Sequence, residues 1–419
     1  MAGSNPPRHT PEKPGILFVT PVFPDITGYG LAMRAGALLE ALAAYGAVHV
    51  LVIPVYDPGR KAMPEFMRPF CSACSVMPVS RADRAVARMR GAARVIFGKS
   101  VNLPGSLFAT TRLQRRVEQI CRSAELDYIY IFRLYMVPFV RACLARNALN
   151  LKGRFIDIDD IESRTRSGIA TLYRANGLPG PARWEEQTGQ QYAAWERELL
   201  PRFDGISVCS PKDKHVLSRQ LPVQHIHVLP NIVRCPDQPL PAHDAGIFNL
   251  LFVGNLNYYP NQDALAFFFE EILPRLRSRA KRPVGFTVIG SGKWPGLRQY
   301  RKIANCHFAG FVPDVAPYYA RANAVVAPLR AGGGTRIKIL EAFSFQRPVI
   351  ATAIGAEGLE ITHETHALIA DQPADFAAQC CRIMEDRQLA ARLTANAIEC
   401  LKTHYTLDAL RQNLGRMIV

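Results

Sequence analysis

The chain has 419 residues, 48% of them hydrophobic and 21% charged, a balance that excludes a disordered polymer and is long for one domain. No apolar run approaches the ~20 residues a membrane-spanning helix needs. A formal net charge of +16 calls for an anionic partner or a reason to do without one.

Residues 1–14 are polar and proline-rich, which predicts a disordered lead-in. The first apolar run, Ile16 to Val19, is too short for a signal-peptide core, so the expected compartment is the cytoplasm. A Rossmann-like unit follows in the order strand, turn, helix, strand: Gly15 to Thr20, a turn holding Gly28 and Gly30, a helix from Ala32 to Tyr45, and a strand from His49 to Ile53. The turn is not a full dinucleotide fingerprint, and no acidic residue ends the second strand.

Arginines then gather at 81, 84, 88, 90 and 94, with Lys99, and again at 112, 115, 116 and 122. Within 84–99, Val86, Met89, Ala93, Ile96 and Phe97 recur at helical spacing, which describes a basic amphipathic helix. Such a helix either lies on an anionic membrane surface or packs, solvated, on the first domain. With no nucleic-acid module and no aromatic-interleaved basic groove, nucleic acid is not an expected partner.

Strands are expected over 128–132 and 154–162, and the second ends in four acids, Asp157, Asp159, Asp160 and Glu162. Ligands of open α/β sheets bind beyond the carboxyl ends of strands, so Asp157 and Asp160 are candidates to meet an acceptor hydroxyl; pairing with Arg164 and Arg166 is the plainer alternative. A helix at 192–200, a strand at 205–210 and a closing run at 227–233 complete a first domain of 15–234, and a proline-rich linker spans 235–247. Ten cysteines include one Cys-x-x-Cys, Cys71 and Cys74, without the second pair that zinc would want; reduced thiols and no metal are expected.

The second half reads as strand Leu250 to Asn255, a helix through 266–269, strand Phe286 to Gly292, strand His307 to Asp314 and strand Ala324 to Leu329. Then come Gly332, Gly333, Gly334, Thr335 and Arg336, opening a short helix that carries Lys338 and Glu341 and leads through Pro348 into a β-rich run. Consecutive glycines let backbone amides approach an anion, and a helix N-terminus adds its positive end. Lys338 and Glu341 share one face of that helix, a cation for phosphate and a carboxylate for ribose hydroxyls one turn deeper.

In this order the motifs resemble the nucleotide-sugar half of the glycosyltransferase B (GT-B) fold, and look most like the retaining glycosyltransferase family 4, glycosyl transferases group 1. The resemblance covers 248–372 well and the first half more loosely. It implies an α/β chain of two Rossmann-like domains facing each other across a cleft, the second at 248–400, with 401–419 as a helix crossing back to the first. It implies a hexosyltransferase-like enzyme that moves a sugar from a UDP- or GDP-sugar to a lipid-linked or polysaccharide acceptor, without a cofactor. Gly28, Gly30, Gly254, Asn255, Phe311, Val312, Gly332, Gly333, Gly334, Thr335, Arg336, Lys338 and Glu341 would bind the donor. Arg336 and Lys338 would stabilise the leaving diphosphate. If the enzyme retains configuration, that phosphate takes the acceptor proton; if it inverts, Asp157 or Asp160 would be the base.

Two departures stand out. Many relatives carry a glutamate at the position of Gly333, and a basic pair after the opening strand of the second domain, where this chain has Asn255, Leu256 and Asn257. They keep other readings open: a non-catalytic nucleotide- or membrane-binding member of the fold, or a sugar-nucleotide epimerase.

Overall fold

The computed structural model describes residues 13–55, 62–96, 108–145, 149–223, 225–236 and 246–418, with the backbone alone for 90–96. Most of the expected lead-in, the middle of the expected linker, and Lys99 and the Arg90 and Arg94 side chains lie outside the described residues.

The first sheet has seven parallel strands: β1 (Gly15–Thr20), β2 (Ala47–Val52), β3 (Ala73–Val76), β4 (Tyr128–Phe132), β5 (Gly153–Asp159), β6 (Gly205–Val208) and β7 (Ile226–Val228). Their spatial order is β3-β2-β1-β4-β5-β6-β7. The second sheet has six: β8 (Phe248–Val253), β9 (Val284–Ile289), β10 (Cys306–Gly310), β11 (Ala324–Ala327), β12 (Val349–Ala351) and β13 (Leu368–Ile369). Their order, β10-β9-β8-β11-β12-β13, repeats the plan of the first.

Alternation along a strand sends successive side chains to opposite faces, and β1 shows the result. Leu17 and Val19 join the core on one face, while Ile16 and Phe18 join the core on the other. Near-continuous apolar runs such as Ile16 to Val19 are what a sheet covered on both faces demands. In each sheet the strand order reverses next to the first strand, between β1 and β4 and between β8 and β11. That reversal opens the crevice where α/β sheets take their ligands.

The end of the chain divides differently from the helix expected at 401–419. One helix runs Arg387–His404, the chain breaks at Tyr405 and Thr406, and a second helix spans Leu407–Ile418. The second presents Leu410, Leu414, Met417 and Ile418, one helical stripe, to the core formed by Ile16, Phe18, Leu38 and Leu42 of the first domain.

The basic segment forms the helix Arg81–Ile96, on which Arg81, Arg84, Arg88 and Met89 are exposed. Arg112, Arg115, Arg116 and Arg122 are exposed on the helix Thr111–Ser123. Asp83 is buried at the junction, accepting from Ser80, Thr110 and Arg112, and these partners hold its carboxyl well below the usual range despite the cost of burial. Among the described residues no helix is long and apolar enough to cross a membrane. All ten cysteines are unpaired, and no group of three or more His, Cys, Asp or Glu among the described residues is arranged to hold a metal ion.

Candidate active site

The glycine loop joins β11 to the helix Ile337–Ser344. Gly332 and Gly334 have φ of 134° and 65°, values a β-carbon disfavours. Arg336 precedes the helix and is 7% exposed. Its guanidinium donates back to the carbonyls of Gly333, Gly334 and Ile354, so it shapes the loop, while its Nε is buried without a partner.

Lys338 projects from the first turn of the helix. Its ammonium donates to Asn261 Oδ1 at 2.8 Å and sits 4.4 Å from the centroid of the Phe252 ring. Asn261 in turn donates to the carbonyl of Asn255 at 2.9 Å, which ties the turn after β8, with Gly254 packed on Asn261, to the same cation. Enclosure, helped by repulsion from Arg336, pulls Lys338 down to about 7, with Glu341 opposing. One turn on, Glu341 is pushed up to about 7 by burial, against a hydrogen bond from Tyr319 at 3.3 Å and the attraction of Lys338. Both groups thus stand near neutrality, poised to change charge when a ligand arrives. Phe311, after β10, is 70% exposed, and Val312 beside it packs on the core under the helix.

The first domain meets this loop directly. A β-carbon on Gly30 would lie 3.0 Å from Ile337 Cδ1, so the turn holding Gly28 and Gly30 does face the opposite domain. Asn231 donates to Thr335 Oγ1 at 2.6 Å. Behind it, Arg34 donates to Asn231 Oδ1 at 3.0 Å and clamps Asp157 through Nε at 3.0 Å and Nη2 at 2.6 Å.

This network corrects the expectation for Asp157. It is 0% exposed, and its carboxylate is filled by Arg34 and by Ser207, which donates at 2.6 Å. Rather than facing an acceptor, it anchors the arginine that holds Asn231 against the loop. Asp160 is placed otherwise. Arg133 donates to its Oδ1 at 2.9 Å, and Oδ2 looks across the cleft at Gly333, where an added β-carbon would meet it at 2.7 Å. Arg133 also serves Asp159 and Glu162, each at 2.9 Å. Asp159 is lifted to about 6, chiefly by burial and further by its acidic neighbours, while Arg133 and Arg34 oppose. Burial also raises Glu162. The pairing expected for the acids is met in part: Arg166 binds Glu162, but Arg164 reaches over to Glu357 of the second domain.

Further contacts close the cleft. Tyr173 stacks on Tyr259 with centroids 3.7 Å apart, and Asn176 donates to Tyr259 and Asp263 at 2.8 and 2.6 Å. Arg34, Arg133, Thr165, Asn231 and Asn261 were not singled out by the sequence. Arg34 had a readable signal, since it is a lone charge inside the apolar run from Ala32 to Leu39.

Two apposed Rossmann-like domains, with a glycine loop, a buried cation and a carboxylate at the second switch point, define a GT-B fold. Residues 247–386 match the family described as Glycosyl transferases group 1. The chain superposes on Anabaena HepE in complex with UDP and glucose, with a TM-score of 0.65 and 15% identity over 96% of this chain and 99% of that one. Sucrose-phosphate synthase from Thermosynechococcus elongatus gives 0.65 and 16%, over 96% and 98%. TarM gives 0.57 and 14%, over 73% of this chain; this chain spans only 57% of TarM. At such identities the likeness speaks for the fold. No curated protein matches the sequence.

Proposed function

We propose that the protein transfers a sugar from a nucleoside-diphosphate sugar to a hydroxyl acceptor, with retention of configuration and without a metal. The carrying observation is Lys338 and Glu341, one helical turn apart behind the glycine loop, each displaced toward neutrality. The loop amides and Lys338 receive the diphosphate, and Glu341 accepts from the ribose hydroxyls. The base lies toward Phe311 and Val312. Arg336 contributes through the loop carbonyls it holds and as a fixed charge behind them. In the transfer step the bond from the anomeric carbon to the diphosphate oxygen breaks. The acceptor oxygen bonds to that carbon on the same face, and its proton passes to the leaving diphosphate.

The acceptor proposed is a lipid-linked or polysaccharide precursor at the inner face of an anionic membrane. The exposed arginines of Arg81–Ile96 and Thr111–Ser123, with Met89 64% exposed among them, support that placement.

The test is calorimetric titration of the purified protein with UDP and with GDP in EDTA, beside Glu341→Ala. One nucleotide is expected to bind, and the substitution to weaken it about ten- to a hundredfold, as loss of a hydrogen bond to a charged group does. Absence of binding by either nucleotide would remove the donor-site reading.

A further inference from the structure

At Gly333 the second domain lies directly against the first. A β-carbon there would fall 1.7 Å from Thr165 Oγ1, 2.7 Å from Asp160 Oδ2 and 2.8 Å from Thr165 Cβ, so no side chain fits at 333 in this arrangement. A glutamate on the loop, as the family resemblance suggests for that position, is physically excluded while the cleft is closed. The space is held by a carboxylate of the other domain.

Asp160 reaches it by an unusual backbone. The register of β5 against β6 slips between Asp157 and Asp159, Asp159 has φ of 60°, and the amide of Asp160 donates back to Ile158 at 2.7 Å. Arg133, with φ of 81°, fixes Oδ1. Two of the five non-glycine residues with positive φ in the described chain thus hold one carboxylate in place. Among the described residues its other oxygen, Oδ2, accepts only a long hydrogen bond from the Thr165 hydroxyl, at 3.3 Å. A carboxylate oxygen can accept more, and the group now offered to it is an alcohol.

The electrostatics sort the two sides of the cleft. Beside Asp160, three further carboxylates, Asp157, Asp159 and Glu162, pair with the guanidiniums of Arg34, Arg133 and Arg166. The free face of Asp160 Oδ2 on that wall suits a hydroxyl donor and not phosphate. The opposite wall holds Lys338 and the buried, unpartnered Nε of Arg336. A donor with its diphosphate on the loop directs its sugar at the acidic wall.

We propose that Asp160, delivered from the first domain against Gly333, is the carboxylate that reads the hydroxyls of the donor sugar. A sugar hydroxyl takes the place of Thr165 at Oδ2 once the domains have opened at Gly333 far enough to admit it, so sugar recognition needs both domains. A cavity beside Gly333, about 20 Å³ and lined by Arg164, Thr165, Asp213 and Glu357, has room for a water but not a hexose. The domains must therefore part to load the donor. This inference rests on the donor-site reading above.

The experiment titrates wild type and Asp160→Asn with UDP, GDP, UDP-glucose, UDP-N-acetylglucosamine and GDP-mannose, then with 3-deoxy and 4-deoxy analogues of whichever sugar nucleotide binds. Asparagine keeps an oxygen for Arg133, and a thermal melt checks the fold. If the variant is not folded, the deoxy analogues on wild type beside Thr165→Ala carry the test, since removing the competing hydroxyl should strengthen the parent sugar nucleotide and leave the deoxy form unchanged. The expected result is free-nucleotide affinity within about twofold of wild type, with a ten- to hundredfold loss for the sugar nucleotide. One deoxy analogue should show the same loss on wild type and no further loss on Asp160→Asn. Equal effects on nucleotide and sugar nucleotide would overturn the proposal, because Asp160 would then merely support the loop. Sugar nucleotides unaffected by the variant would overturn it too. If no nucleotide binds wild type at all, it is the donor site itself that fails.

Discussion

Donor binding should be bell-shaped in pH, with its maximum near 7. Lys338 stands at about 7 instead of its ordinary 10.5, so above neutrality it is neutral and must regain a proton to meet a diphosphate. If the diphosphate restores the ordinary value, affinity falls about tenfold per pH unit on the alkaline side, with uptake of one proton. Glu341 stands at about 7 instead of 4.5 and is protonated below neutrality, where it cannot accept from both ribose hydroxyls. Ionising it on binding releases a proton and costs about tenfold per pH unit on the acid side. The assay is calorimetry from pH 5.5 to 8.5 in pairs of buffers with different ionisation heats. A sugar nucleotide is the ligand, because it lacks the free terminal phosphate that titrates near 6. Lys338→Met should flatten the alkaline limb and Glu341→Gln the acid limb. Binding that is level across this range, with no proton exchanged on either side of 7, would refute the reasoning.

Arg34→Met should destabilise the protein by about 3–5 kcal/mol in denaturant unfolding, because it leaves Asp157 charged, buried and held by Ser207 alone. Asn231 loses its support as well, so nucleotide affinity should drop in the surviving folded fraction. Leu414→Ala, at 0% exposure under the first sheet, should cost about 3–5 kcal/mol, read from the same unfolding curve.

What the sequence made legible was the scaffold. β1 and β4 match the expected strands residue for residue, and the other expected strands of both sheets differ mainly at their ends, because short β-branched apolar runs between turns fit strands of a covered sheet. The strand expected through Glu162 stops at Asp159, since the positive φ there ends the pairing and the next helix begins at Glu162. β3, with Cys74 in it, carries too little apolar signal to be read in advance. In the candidate site, the glycine loop, Lys338 and Glu341 could be named because they are close in sequence. The contacts across the cleft could not. Asp160 and Gly333 are far apart along the chain, and only the folded arrangement shows that one stands where the other leaves room.

The helix Leu407–Ile418 has a bearing on how the molecule comes into being. Domains ordinarily fold in order as they leave the ribosome. Here Leu410, Leu414, Met417 and Ile418, made after the whole second domain, cover Ile16, Phe18 and Leu42 of the first. That part of the opening sheet's apolar face which Leu38, Leu39 and Leu42 leave uncovered must wait until the entire second domain has been synthesised. A nascent chain of this kind depends on something else to shield that face, and cutting the gene at the linker would yield an aggregation-prone first half.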